Sequence, residues 1–268
     1  MLAPSPVVKI TAKAALRQGF LKSVAVSCVL LFAFFSVIIT ASLASVFVGN
    51  VGYVISIAIL TLFVLSPLFL GALYYFRRLL WNQNDSVLVI FKYFSNVAEY
   101  KRALHFVLLV AARLLLLSAI LYLPCIVVWL LSNEQIYSFF NLSLPVWTSN
   151  LWTLNSFLAI IASLALVFVM LRYYLAPFIF VSNDTIDPAE AVNMSTIISK
   201  RTGADFFGLT LSFIGWILIS FLVAPLIFTL PYFMASYGVH CRFAITAYNL
   251  DVDRFNASVT PSFSTDEI

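Results

Sequence analysis

The lysines and arginines of this chain fall on one side of a hydrophobic pattern that repeats three times. Each repeat holds two long apolar runs: 23–48 and 51–76, 103–131 and 151–174, 206–229 and 232–250. The turns inside the pairs carry no Lys or Arg. The exits are basic and aromatic: Leu73-Tyr-Tyr-Phe-Arg-Arg78, Leu171-Arg-Tyr-Tyr-Leu175 and His240-Cys-Arg-Phe243. A helix needs about 20 apolar residues to cross about 30 Å of hydrocarbon. Backbone polar groups in lipid must be satisfied within the segment, so the runs are read as helices. The pattern therefore predicts an all-α polytopic membrane helical bundle of about six transmembrane helices in three hairpins, linked by amphipathic connecting helices. Positive charge is retained on the cytoplasmic side, which places both termini inside the inner membrane.

Composition supports this class. The 268 residues are 63% hydrophobic and 10% charged, against roughly 25% charged in soluble domains. A net charge of +4, with no clustered basic face on a polar domain, argues against nucleic-acid binding. Cys28, Cys125 and Cys241 sit far apart in apolar runs with no metal-ligand spacing and read as small buried hydrophobes.

Three segments flank the spans. Residues 1–22 form a basic cytoplasmic lead-in with Lys9, Lys13, Arg17 and Lys22. The run after it is longer than the roughly 7–15 residues of a signal-peptide core, so it reads as an uncleaved first span. In 86–101, Val87, Phe91, Phe94 and Ala98 share a helical face, which predicts an interfacial helix or one packed on the bundle. The tail 251–268 is polar and acidic and reads as disordered.

Local signals refine the spans. Pro67 should kink the second run and Pro124 lies near the far end of the third. The loop 132–149 is aromatic (Tyr137, Phe139, Phe140, Trp147), carries Glu134, and holds a weak glycosylation sequon at Asn141. Asp187-Pro-Ala-Glu190 is a strong helix start, with Asp as cap, Pro in the first turn and Glu reaching back. The spacings Ala41/Ser45/Gly49 and Gly208/Ser212/Gly215 suit close helix approach and predict self-association or a membrane-protein partner. The run 232–250, opened by Pro231 and holding His240, reads as a sixth span, with a re-entrant segment as the alternative.

Topology accounts for all of the 15 Lys and Arg except Arg113 and Arg242. Arg113 stands about ten residues into a span, roughly 14 Å deep at 1.5 Å per residue. A charge there is costly and should face protein or water. No acid lies inside an apolar run to pair with it. One reading is a cytoplasm-facing cavity lined by Arg113, Arg172 and Arg242, with His240 nearby, that holds a lipid phosphate or another anion. The plainer reading is that these arginines snorkel or bond helix-end carbonyls.

Catalytic and metal motifs are absent from the sequence. No paired carboxylates occupy a span, and His240 and Cys241 point about 100° apart on a helix. No cofactor or metal is expected. Coupled transport generally leaves a carboxylate within a span, and none is present. The leading expectation is a non-catalytic membrane protein with a lipid-interacting or scaffold role. The alternative is a passive transporter or exporter of a small or amphipathic anion.

A set of motifs adds a resemblance: Pro67-Leu-Phe-Leu-Gly71, Tyr122-Leu-Pro124, Arg172-Tyr-Tyr-Leu-Ala-Pro177, Asp187-Pro-Ala-Glu-Ala191, Leu211-Ser-Phe-Ile-Gly-Trp216 and Pro231-Tyr-Phe233. From about residue 60 to 250 the chain resembles an uncharacterised family of bacterial six-span integral membrane proteins, a domain of unknown function frequent in Firmicutes. The pattern is also similar to the membrane domain of some glycerophosphodiester phosphodiesterases, which implies phospholipid association. The chain departs from the family pattern at Arg201-Thr-Gly-Ala204, which keeps only the glycine of Met-x-Gly-Asn, and at Cys125, where glycine is usual. The resemblance implies a fold and no functional residues.

Overall fold

The computed structural model of the chain describes residues 5–83, 85–133, 151–219 and 223–259. Every regular element among them is helical. The opening helix, α1 (Ser5–Gln18), buries Val8, Ala12 and Leu16, a four-residue spacing that places one stripe of the helix inward.

Helix α2 (Phe20–Leu60) breaks at Gly49, whose φ of 71° and ψ of −162° suit glycine alone. The chain folds back there. Val29, Ala33 and Val37 share a groove with Leu68, Val64 and Leu60, so each step forward on one leg matches a step back on the other. The second leg passes through a π-turn (Thr61–Leu65) into α3 (Ser66–Leu80). The kink expected at Pro67 takes this form: the π-turn puts Pro67 in the first turn of α3.

The expected continuous amphipathic helix over 86–101 is replaced by three pieces. A 3-10 turn (Val87–Phe91) and a single helical turn, α4 (Lys92–Ser95), are followed by extended Asn96. The Asn96 side chain then caps α5 (Val97–Ser132) through the Ala98 N–H at 3.0 Å. Ile90 and Tyr93 are the residues buried, while Phe91 and Phe94 stay exposed. The cause is Gly71: a Cβ there would lie 1.8 Å from the Ile90 carbonyl oxygen, so the 3-10 backbone lies directly on α3.

Helix α5 pairs with α6 (Leu151–Met170), and the Tyr122 hydroxyl meets Ser163 Oγ at 2.7 Å. Ala162 is the buried residue of α6. The loop carrying Glu134, the Asn141 sequon and the expected aromatics lies outside the described residues. A seven-residue helix, α7 (Ala176–Ser182), runs through the core with Phe178, Ile179, Phe180 and Val181 buried. Phe180 stacks on Phe106 at 4.4 Å and on Tyr93 at 6.1 Å.

The last two apolar runs are divided differently from expectation. Helix α8 (Pro188–Leu211) joins the polar connector to the fifth run without interruption. Its cap is Asp187, whose carboxylate accepts from the Ala189 N–H, as the sequence predicts. A break at Ser212 and Phe213 precedes α9 (Ile214–Ile219), and α10 (Val223–Val259) contains Pro231 within it. Phe213 meets Phe233, Phe206 meets His240, and Arg201 meets Asp251, so α8 and α10 run antiparallel. Pro231 lies inside α10 and marks no reversal. Helix also continues to Val259, through half of the segment expected to be a disordered tail.

Among the described residues, three segments are long and apolar enough to cross a membrane: Phe20–Leu80, Val97–Ser132 and Leu151–Met170. The first contains the reversal at Gly49.

Candidate functional site

The four residues singled out by the sequence take separate positions. Arg113 Nη1 donates to Asn193 Oδ1 on α8 at 2.9 Å. The Arg172 side chain is exposed, and its carbonyl accepts from Ser195 and Ser199 at 2.9 and 3.0 Å. Arg242 donates to the Leu80 carbonyl at 3.3 Å and lies 4.8 Å over the Trp81 ring. His240 is buried among Tyr174, Thr202 and Phe206. Arg242 lines a cavity of about 520 Å³ with Thr11, Gln18, Asn82 and Thr246, none of which is an anion-binding group of the expected set.

The His240 network has a definite direction. Thr202 Oγ1 lies 3.1 Å from the Ile198 carbonyl, to which only a hydroxyl hydrogen can be donated. The Tyr174 hydroxyl, 2.7 Å from Thr202 Oγ1, therefore donates to Thr202. His240 Nε2, 3.0 Å from Tyr174, then carries the hydrogen and donates to Tyr174. The chain of hydrogen bonds runs from His240 through Tyr174 and Thr202 to the accepting carbonyl of Ile198. Tyr237 closes it by donating to the Tyr174 carbonyl, and Phe206 covers it by stacking on Tyr174 at 4.1 Å. This arrangement holds the imidazole between α8, α10 and the turn before α7 and leaves it no free donor at Nε2.

Cations elsewhere serve helix ends. Lys9 donates to the Ser212 carbonyl at the end of α8, and Arg77 to the Val181 carbonyl in α7. Arg102 donates to the carbonyls of Asn183 and Ile186. Arg242 on Leu80 does the same for α3. Such carbonyls have no partner within their own helix and attract positive charge. Acids hold other cations: Arg78 pairs with Asp85, Lys92 with Asp184 at 2.6 Å, and Arg201 with Asp251 at 3.1 Å.

Two further cavities carry chemistry. One, of about 500 Å³, is almost wholly apolar and central. Leu30, Phe34, Leu65, Val110, Leu114 and Met234 line it, so α2, the π-turn, α5 and α10 all contribute, and Pro177 of α7 belongs to its wall. The other, of about 490 Å³, gathers Lys101, Arg102 and His105 against Thr185, Ile186, Asp187 and Pro188 at the start of α8. Beside it, buried Tyr93 Oη and Arg102 Nη1 have no hydrogen-bond partner among the described residues. Burial, then Asp184, pushes the Tyr93 phenol pKa up. No cluster of three or more His, Cys, Asp or Glu suited to a metal occurs among the described residues.

Several of these partners were missed in the sequence. Ser195, Ser199 and Thr202 recur at four- and three-residue spacing on α8 and are all buried. That polar stripe was the available signal. Asn193 carries no comparable signal, because its role depends on where α5 crosses α8.

The chain belongs to a family described as protein of unknown function, DUF975, whose model matches residues 7–246. No curated protein and no solved structure matches it.

Proposed function

We propose that this member of the DUF975 family is a non-catalytic integral membrane protein that holds the hydrophobic part of a lipid in its central cavity. It crosses the inner membrane six times as three helical hairpins, with both termini in the cytoplasm. The central apolar cavity of about 500 Å³ carries this reading, since it lies within the roughly 300–1,000 Å³ of small-molecule sites and offers almost no polar anchor. The apolar length of the segments and the one-sided placement of Lys and Arg support the topology. A passive path for an anion fits less well, because the cavity residues include no cation and the buried helix α7 adjoins it.

The test fills the cavity. Protein extracted in mild detergent should carry lipid that Val110→Trp or Leu114→Trp releases while the fold is kept, as counted by mass spectrometry. Equal lipid in wild type and both variants would sink the reading. For topology, single cysteines at Asn50 and Ser86, in a chain with its native cysteines replaced, separate the two faces: a membrane-impermeant maleimide should label position 50 from outside and not position 86.

A further inference from the structure

The basic cavity at the start of α5 is separate from the central one. At 100° per residue, Lys101 and His105 lie on one side of α5, while Val107, Val110 and Leu114, which face the central cavity, lie on the other. We propose that Lys101, Arg102 and His105 bind the phosphate of an anionic phospholipid, whose acyl chains lie along the exposed side of α5.

Three observations carry this. The first is the cation set: three basic side chains share one cavity. Arg102 is pinned by Nη2 to the carbonyls of Asn183 and Ile186 at 2.8 and 2.9 Å, which holds its charge at the cavity wall. A guanidinium fixed in this way presents its charge with little further ordering. The second is the α8 start, whose N–H groups add positive potential. Asp187, the acid lining the cavity, has its carboxylate turned onto the Ala189 N–H at 3.0 Å. Glu190 follows in the same first turn and opposes the anion, so Lys101 and Arg102 meet two acids there, with His105 beside them.

The third observation selects a lipid over free phosphate. Beyond His105, the same side of α5 continues as Leu108, Ala112, Leu116, Ala119 and Leu123. All five are exposed, Leu116 at 62% and Leu123 at 58%. Cations at the polar end of a helix and an uncovered apolar stripe directly after them match an anionic headgroup followed by its chains. The proposal rests on the membrane placement of α5 and not on the central cavity.

Purified protein in mild detergent is titrated with phosphatidylglycerol or phosphatidylcholine, and bound lipid is counted by native mass spectrometry. Phosphatidylglycerol should bind the wild type at least ~fivefold more tightly than phosphatidylcholine. Lys101→Ala/His105→Ala should remove that preference, and Lys13→Ala/Lys200→Ala, which deletes two exposed charges elsewhere, should keep it. Raising the salt concentration should weaken phosphatidylglycerol binding by the wild type, a readout that needs no variant. Millimolar inorganic phosphate should displace none of it. An unchanged preference in the Lys101/His105 variant, indifference to salt, or full displacement by inorganic phosphate overturns the proposal. Val110→Trp, which fills the central cavity, should leave the preference intact, so the two lipid readings fail separately.

Discussion

The Tyr100 hydroxyl donates at 3.0 Å to the carbonyl of Phe63, which is the group that Pro67, four residues later, has no N–H to satisfy. In water such a carbonyl would be solvated, but inside lipid it needs a protein partner. Tyr100 stands in the first turns of α5, so the hydrogen bond that α3 cannot make for itself ties α5 to the π-turn. Tyr100→Phe should destabilise the chain by about 1–2 kcal/mol. Restoring the N–H with Pro67→Ala should recover part of that loss, giving a favourable coupling in a double-mutant cycle of thermal unfolding in detergent. Additive losses would show that the hydroxyl does not serve this carbonyl.

The donor chain through Tyr174 makes a related prediction. Tyr174→Phe leaves the buried His240 N–H without an acceptor and should cost about 1–3 kcal/mol. Tyr174→Phe/His240→Phe removes both ends of that bond and should cost less than the sum of the single changes. If His240→Phe alone were harmless to stability and abolished a biological activity, the network would have a role beyond holding three helical segments together.

Glycines separate into those that the fold requires and those that it does not. At Gly71 a Cβ meets backbone at 1.8 Å, whereas at Gly238 it meets the flexible end of Leu80 at 2.7 Å. At Gly208 and Gly215 it meets nothing within 4 Å. Gly71→Ala should cost about 3 kcal/mol or more, because the 3-10 segment must lift from α3. Gly238→Ala should cost less, and Gly208→Ala and Gly215→Ala should be neutral or gain up to about 1 kcal/mol of helix propensity. Unfolding midpoints in one detergent test this order, and a harmless Gly71→Ala would contradict the contact with Ile90.

What could be read from the sequence follows from which forces are local. Apolar run length and charge placement are local, and they located the break at Gly49 and the Asp187 cap. For 86–101 the sequence offers a helix in the interface or one packed on the bundle; the segment packs on the bundle but in three pieces, because Gly71 admits the Ile90 backbone and that distant contact decides which face turns inward. Pro231 was read as a boundary because proline usually ends a helix. Here α10 carries it inside. For the arginines, the sequence offered two readings, a shared cavity or helix-end carbonyls. The choice depended on which carbonyls tertiary packing brings close, and no periodicity encodes that.

Arg242 separates those two readings by experiment. Its guanidinium donates to the Leu80 carbonyl at the end of α3 and covers the Trp81 ring at 4.8 Å. Losing a cation at a helix C-terminus costs about 0.3–1 kcal/mol, up to ~2 when partly buried, and the aromatic contact adds ~0.5–1. Arg242→Ala should therefore lower stability by about 1–2 kcal/mol. Arg242→Lys should retain part of it, because an ammonium keeps the charge and loses the planar stack. Neither change should alter the amount of anionic lipid that native mass spectrometry finds on the protein, since Arg242 lies apart from Lys101, Arg102 and His105. A variant that stays stable and loses its lipid would return Arg242 to a binding role and would mean that the Leu80 carbonyl is an incidental neighbour.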